Sequence, residues 1–247
     1  MLPCDDCSPW VGTSERGRDR DESAVFRRTF LTAAACLSLL AFPSIAAGDT
    51  MSGTELHEAA QRNDGALVKR LLADGAPLEH RNASGATPLL VATHANAVEA
   101  AGALIDAGAD VNAKDHIHDS PYLYAGARGH LDILKLTLAN GADLKSTNRY
   151  GGTALIPASE RGHVETVRTL IEAGVEVDHV NKLHWTALLE AIILGDGGEE
   201  HRQIVNLLID AGADVNLADR DGVTPLQHAR RAGYREMERM LVAAGAR

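Results

Sequence analysis

The chain is poor in aromatic side chains, which make up 4% of its 247 residues. All three phenylalanines and Trp10 lie within the first 46 residues, which leaves one tryptophan and four tyrosines for the remainder. A core built without phenylalanine has to use alanine and leucine in thin, closely spaced layers. This composition argues against a large aromatic-packed barrel or sandwich.

Cysteine is equally scarce, because Cys4, Cys7 and Cys36 are the only three and all lie in the same N-terminal stretch. A disulfide framework is therefore excluded for the rest of the chain. The Cys-x-x-Cys spacing of residues 4–7 has no second pair, so a metal or redox centre is not expected there. An accident of the assigned translation start explains this pair better.

Positive charge and long apolar runs are also limited. The chain has 24 Lys and Arg against 34 Asp and Glu, a net charge of −10, which argues against a nucleic acid or an anionic membrane surface as partner. The apolar run within residues 26–47 ends at Pro43 and is short for a membrane span. Adjacent arginines precede this run and small residues follow it, as in an export signal.

The arginine pair favours one export route. Residues 27–31, Arg-Arg-Thr-Phe-Leu, resemble the bacterial twin-arginine motif, which a receptor recognises. We therefore predict an export signal region over residues 1–46, with cleavage after Ala46 or Ala47, and a periplasmic protein. Residues 1–24 are unusually charged for a signal and would lie before a later true start. A general secretory signal, an uncleaved anchor and, more weakly, a lipoprotein modified at Cys36 are the alternatives.

A repeat of 33 residues fills the remaining sequence. A Thr or Ser recurs at intervals of 33, 33, 33, 33 and 38, and a Gly before Ala or Val recurs at intervals of 33, 33, 33, 38 and 33. The first series is Thr54, Thr87, Ser120, Thr153, Thr186 and Thr224; the second is Gly75, Gly108, Gly141, Gly174, Gly212 and Gly245. Both series predict six units with one five-residue insertion, near residues 195–199.

The units share a helix-opening motif. It stands as TPLLVA, SPYLYA, TALIPA, TALLEA and TPLQHA after the first unit, in which TELHEA is a variant. Thr caps a helix and Pro is tolerated at the next position, while Leu and Ala share one face. This resembles the ankyrin repeat. The resemblance implies a mainly α solenoid of six helix-turn-helix units with β-hairpin fingers over residues 54–247, after a short linker at 47–53.

Catalytic motifs are missing from this pattern. No nucleophile motif or phosphate loop occurs, so no enzymatic activity, cofactor or small-molecule substrate is expected. His130, His163 and His201 occupy a position where ankyrin repeats commonly carry a structural histidine. His116 and His118, near one finger tip, lack a third ligand nearby in sequence, so a metal-dependent enzyme using them is a weak alternative.

The five-residue insertion near residues 195–199 does not match a phosphate-binding loop. Its glycines follow an apolar helix instead of a strand, and its acidic residues would repel phosphate. We therefore expect a lengthened, solvated connection between two helices, with a partner-specific loop as the alternative.

The ankyrin resemblance implies a concave binding surface made of finger tips and first helices. The large apolar side chains at the tips are not needed for turns and predict an apolar stripe, with charged neighbours as its rim. The predicted partner-binding residues are His116, Ile117, Asp119, Arg128, Arg149, Tyr150, Arg161, Lys182, Leu183, Trp185, Arg220 and Asp221. Packing of Trp185 on a neighbouring finger is the alternative, and His118 and His184 stand where the family has glycine.

These observations predict a monomeric, non-catalytic periplasmic adaptor. It would bind and modulate or stabilise another exported protein, for example an enzyme, and would meet the membrane only through an uncleaved signal. An inhibitor or immunity protein against a toxic effector is the alternative binding function.

Overall fold

The computed structural model describes the backbone of residues 47–247 and the side chains of residues 52–247. The predicted export signal, its cleavage after Ala46 and the Cys4–Cys7 pair lie outside the described residues. The helices are α1 (Ala47–Gln61), α2 (Gly65–Ala73), α3 (Pro88–His94), α4 (Val98–Asp106), α5 (Pro121–Arg128), α6 (Leu131–Ala139), α7 (Leu155–Glu160), α8 (Val164–Glu172), α9 (Ala187–Ile193), α10 (Glu199–Asp210), α11 (Pro225–Ala232) and α12 (Arg235–Ala243). Within this part of the chain, none of these helices is both long and apolar enough for a bilayer crossing.

Four of the predicted opening residues cap a helix. The hydroxyl oxygens of Thr87, Ser120, Thr186 and Thr224 each accept a hydrogen bond from the backbone N–H three residues later, at 3.2–3.3 Å. Thr224 also forms a reciprocal capping box with Gln227. These bonds satisfy N–H groups that have no partner within the helix, so each cap fixes where a first helix begins.

The first unit departs from the prediction. Residues 47–53, expected as a linker, belong to α1, and Thr54 lies inside that helix instead of opening it. A proline after the threonine would disfavour helical backbone at position 54. Glu55 occupies that position and permits a continuous helix.

Thr153 does not cap its helix in the expected way. Its buried hydroxyl has no hydrogen-bond partner in the described part of the chain, and α7 begins two residues later at Leu155. Pro157 has no N–H to donate to the Thr153 carbonyl, whereas the equivalent bond in the preceding unit joins the Tyr124 N–H to Ser120 at 2.8 Å. Instead, the Ile156 N–H donates to the Thr153 carbonyl at 3.3 Å. This bond spans three residues and not four, so the chain is more tightly wound just before α7.

Neighbouring units pack helix on helix. The first helices of successive units contact one another from α1 to α11, and the second helices do so from α2 to α12. An alanine with no exposed surface stands at the same place in five first helices, and its small side chain allows the close approach. These alanines are Ala92, Ala125, Ala158, Ala191 and Ala229. The expected thin core of alanine and leucine is thus what the structure contains.

The fingers are turns, and the expected β-hairpins are not confirmed, since the described residues contain no strand. We call residues 82–86, 115–119, 148–152, 181–185 and 219–223 the finger turns. In each, one backbone bond of 2.9–3.1 Å joins the first N–H to the last carbonyl. The Asn or Asp side chain at the first position also accepts two backbone N–H groups of the same turn. The side-chain oxygen thus accepts hydrogen bonds from backbone N–H groups that would pair with a neighbouring strand in a β-sheet.

The insertion is solvated and also bonded to a neighbouring unit. The Tyr234 hydroxyl, on the following unit, donates a hydrogen bond to the Gly195 carbonyl at 2.9 Å. The buried His201 ring lies 2.9 Å from the Asp196 carboxylate and 2.9 Å from the Glu160 carbonyl oxygen. The expected lengthened connection is thus largely open to solvent, with Asp196 and Glu199 exposed, and it also bonds to the following unit through Tyr234. His130 likewise bonds to the preceding unit, through Thr93 at 3.0 Å.

Candidate protein-binding surface

Three successive finger turns present a large apolar side chain to solvent. Ile117, Tyr150 and Leu183 are 51%, 54% and 48% exposed, although apolar side chains of this size are usually buried. Neighbouring turns are joined directly, since the Lys182 N–H donates to the Tyr150 carbonyl at 2.9 Å. The predicted stripe thus consists of exposed residues on adjoining turns.

Trp185 differs from these three tips because it is only partly exposed. Its backbone N–H donates to the Asn181 side chain at 3.1 Å, and its carbonyl accepts the Asn181 N–H at 3.0 Å. Trp185 therefore closes the finger turn at its last position and is half-buried, unlike the three tip residues.

The histidines that replace glycine keep the geometry of the turn. His118 and His184 have positive φ angles of 65° and 64°, close to the 74° of Gly151 and Gly222. Such a backbone is costly for residues with a Cβ. The turn closure and the Asn or Asp side chain hold all five turns in one conformation, so these histidines do not alter the finger geometry.

The first helices contribute aromatic and charged groups beside the tips. The Arg149 guanidinium lies 4.9 Å from the Tyr150 ring centre and 4.0 Å from the Asp119 carboxylate. Burial, reinforced by neighbouring Asp115, raises the pKa of Asp119. Arg128 lies 5.4 Å from the ring of Tyr124. These contacts join Asp119, Arg149 and Tyr150 in one group and place Arg128 against Tyr124 on α5.

Two residues of this group were missed from sequence. Tyr124 follows Ser120 by four positions, and its ring lies 4.3 Å from that of His94 on the preceding unit. Burial lowers the pKa of His94. The signal available in the sequence was positional, because Tyr124 lies four residues after Ser120 and His94 lies seven residues after Thr87.

Several predicted rim cations bind backbone of the preceding unit. Lys182 donates from Nζ to the Arg149 carbonyl at 2.9 Å, and Arg220 donates to the Lys182 carbonyl at 3.1 Å. Arg161 donates to the Ala127 carbonyl in the same manner. Asp221 and His116 are exposed at their tips. The rim side chains therefore connect units as well as facing solvent.

A buried carboxyl group lies under the Leu183 tip. Glu190 is 6% exposed and accepts a 2.8 Å hydrogen bond from Nδ2 of Asn181, the residue that organises this finger turn. Burial, reinforced by the charge of Glu160, raises the pKa of Glu190 to about 7. The next unit has a related pair, in which His228 lies 2.8 Å from the Asp219 carboxylate. Sequence reasoning missed both pairs.

The described residues contain no cluster of three or more His, Cys, Asp or Glu side chains positioned for a metal ion. His116 and His118 are both exposed at one tip. The metal hypothesis thus gains no third ligand from the described fold.

The comparisons with known proteins agree with the repeats and helix pairs described above. A sequence model of ankyrin repeats in three copies matches residues 21–115 and 122–219. The chain belongs to the ankyrin-repeat family. The ankyrin fold generally serves as a non-catalytic scaffold that binds protein partners, and nothing in the comparisons indicates an enzyme.

Bacterial relatives cover about three quarters of this ankyrin chain. It is 40% identical to the ankyrin repeat protein YahD of Escherichia coli over 76% of this chain and 94% of YahD. It is 65% identical to a crystallised ankyrin repeat domain of Acinetobacter baumannii, with a TM-score of 0.76, over 78% of this chain and 98% of that domain. It is also similar to the ankyrin repeat domain of Bcl-3, a member of the IκB family, at 29% identity and a TM-score of 0.70, over 78% and 86% of the two chains.

Proposed function

We propose that this protein is a monomeric adaptor of the bacterial periplasm, built from six ankyrin units, which binds another exported protein and modulates or stabilises it. The observation that carries the proposal is the exposed stripe of Ile117, Tyr150 and Leu183 on adjoining finger turns. Large apolar and aromatic side chains surrounded by charged groups are typical of the centre of a protein interface. The N-terminal twin-arginine motif supports the location.

The proposal is tested by capturing partners from a periplasmic extract. The wild-type protein and its Tyr150→Ala and Leu183→Ala variants are immobilised, and bound proteins are quantified by mass spectrometry. An aromatic residue at an interface centre commonly contributes about 2 kcal/mol or more to binding, so Tyr150→Ala should reduce capture of a true partner at least about tenfold. Unfolding midpoints should hardly change, because the tip side chains are exposed.

A matched control distinguishes a specific surface from general adhesion. Val242 is 50% exposed on α12, outside the finger turns. Val242→Ala should leave capture unchanged. Equal capture by Tyr150→Ala and wild type would contradict the proposed surface. If these variants were less stable than wild type but captured the partner equally well, the tip residues would serve packing between fingers and not binding.

A further inference from the structure

An ionisable side chain is attached to the finger turn in two neighbouring units. Nδ2 of Asn181 donates to the Glu190 carboxyl group at 2.8 Å, and the His228 ring lies 2.8 Å from the Asp219 carboxylate. Glu190 and His228 each stand four residues after the opening threonine of their unit. The three preceding units have residues there that do not ionise near neutral pH, namely Val91, Tyr124 and Pro157. At this position the last two units therefore differ chemically from the three before them.

The finger turn that Asn181 organises is also rich in exposed apolar surface. Leu183 is 48% exposed at its tip, and Val180, immediately before the turn, is 43% exposed. The tip of the turn that Asp219 organises has an arginine and an aspartate instead. Of the two ionisable groups, Glu190 is therefore the one attached to a turn suited to an apolar partner.

One side chain joins the Glu190 carboxyl group to the tip. Asn181 is buried, and its Oδ1 accepts the backbone N–H groups of Leu183 at 2.9 Å and Trp185 at 3.1 Å. Nδ2 of the same amide donates to Glu190. Hydrogen bonds that share a group polarise one another, so a change in the charge of Glu190 acts on the group that holds the tip backbone in place.

The groups around Glu190 favour its neutral form. The side chain is buried, and α7 faces it with the acid Glu160 and the cation Arg161. Arg161 is exposed and donates to the Ala127 carbonyl, and its attraction is smaller than the effect of burial. Burial and the charge of Glu160 raise the pKa of Glu190 to about 7. A partner that covers the turn excludes more water, which disfavours the ionised carboxylate further.

We propose that Glu190 makes partner binding at the finger turn of residues 181–185 depend on pH, with the neutral carboxyl group as the form that binds. This rests on the proposed function and adds a regulation of that surface. Binding takes up a proton wherever the free protein is partly ionised, so the affinity falls as pH rises through the neutral range.

A 12-residue peptide supplies the probe. Random peptides displayed on phage are selected on the immobilised protein at mildly acidic pH. One is kept that contains neither histidine nor cysteine and that no longer binds the Leu183→Ala variant. Its amino terminus is acetylated, so the peptide itself does not titrate in the neutral range.

The Kd of this peptide is measured by fluorescence anisotropy at about pH 6 and about pH 8. The ratio of the second Kd to the first should be at least about threefold larger for wild type than for Glu190→Gln, which cannot ionise. Other titrating groups, such as His184 in the same turn, affect both proteins alike. Glu172→Gln is the matched control and should have the wild-type ratio. Glu160→Gln should move the loss of affinity to lower pH, because it removes one cause of the neutral form.

The free protein gives a second readout, which needs no partner. The side-chain amide signals of Asn181 in a ¹⁵N NMR titration should move with a midpoint near pH 7 in wild type and stay fixed in Glu190→Gln. Equal Kd ratios for these two proteins, or an Asn181 signal that moves equally in both, would overturn the inference. Failure to select any peptide that depends on Leu183 would contradict the proposed function itself, whereas a pH-independent Kd of such a peptide contradicts the regulation alone.

Discussion

Glu190 offers the sharpest test of the packing beneath the finger turns. Its carboxyl group is 6% exposed, and its pKa is raised from 4.5 to about 7 because burial and the charge of Glu160 disfavour ionisation. The folded state therefore holds this proton to near neutral pH, whereas the unfolded chain releases it near pH 4.5. Between those values the folded state binds more protons, so the free energy of unfolding falls as pH rises.

The magnitude follows from the size of the shift. One pKa unit corresponds to about 1.4 kcal/mol, so ionising Glu190 in the folded protein costs roughly 3 kcal/mol of stability by pH 8. Glu190→Gln removes the ionisation and keeps an oxygen that can accept the Asn181 hydrogen bond. The variant and wild type should be equally stable at pH 4. The variant should then become more stable than wild type by an amount that grows through pH 5–7 and levels off above about pH 8.

The assay is urea unfolding followed by circular dichroism at several pH values. Other titrating groups affect both proteins alike, so the difference between wild type and variant isolates Glu190. Glu172→Gln, which changes an exposed carboxylate of α8, is the matched control and should give a difference that does not grow with pH. A constant difference for Glu190→Gln across pH 4–8 would refute the burial argument.

Three further predictions concern other parts of the chain. Tyr122→Phe and Thr153→Val each remove a buried hydroxyl without a partner in the described residues, so urea unfolding should show stabilities raised by about 1 kcal/mol. Deleting residues 195–199 restores the 33-residue spacing, but the stack should lose about 1–2 kcal/mol in thermal unfolding because the contacts to Tyr234 and His201 disappear. Changing both Arg27 and Arg28 to Lys should retain the precursor in the cytoplasm on fractionation; normal export would favour a general secretory signal.

The helices were largely predictable from sequence because their signals are local. A capping Thr or Ser and a following Pro lie within one unit, so these local signals locate where α3, α5 and α11 begin, and a Gly closes α5 and α11. The exception at Thr153 had a visible cause, since Pro157 removes one bond of the first helical turn. The continuous α1 was harder to predict, because Thr54 matches the repeat period without acting as a cap.

The contacts between units were not predictable in the same way. The insertion packs through Tyr234, which is 39 residues from Gly195, and no local pattern specifies that contact. Glu190 has the sequence position of an ordinary polar helix residue. It is buried in the folded stack, where its carboxylate accepts a hydrogen bond from Asn181, nine residues earlier.

The bonds between fingers also bear on how the surface can bind. In a repeat stack each unit contacts only its neighbours, so the spacing of the tips depends on bonds from one turn to the next. Lys182 supplies two of them, from its backbone N–H to Tyr150 and from Nζ to Arg149, and Arg220 continues the series to Lys182. These bonds hold the turns in place before a partner arrives, which lowers the ordering cost of binding. Because Lys182 makes two of these bonds, a change at this residue should alter the spacing of the tips and the binding of a partner together.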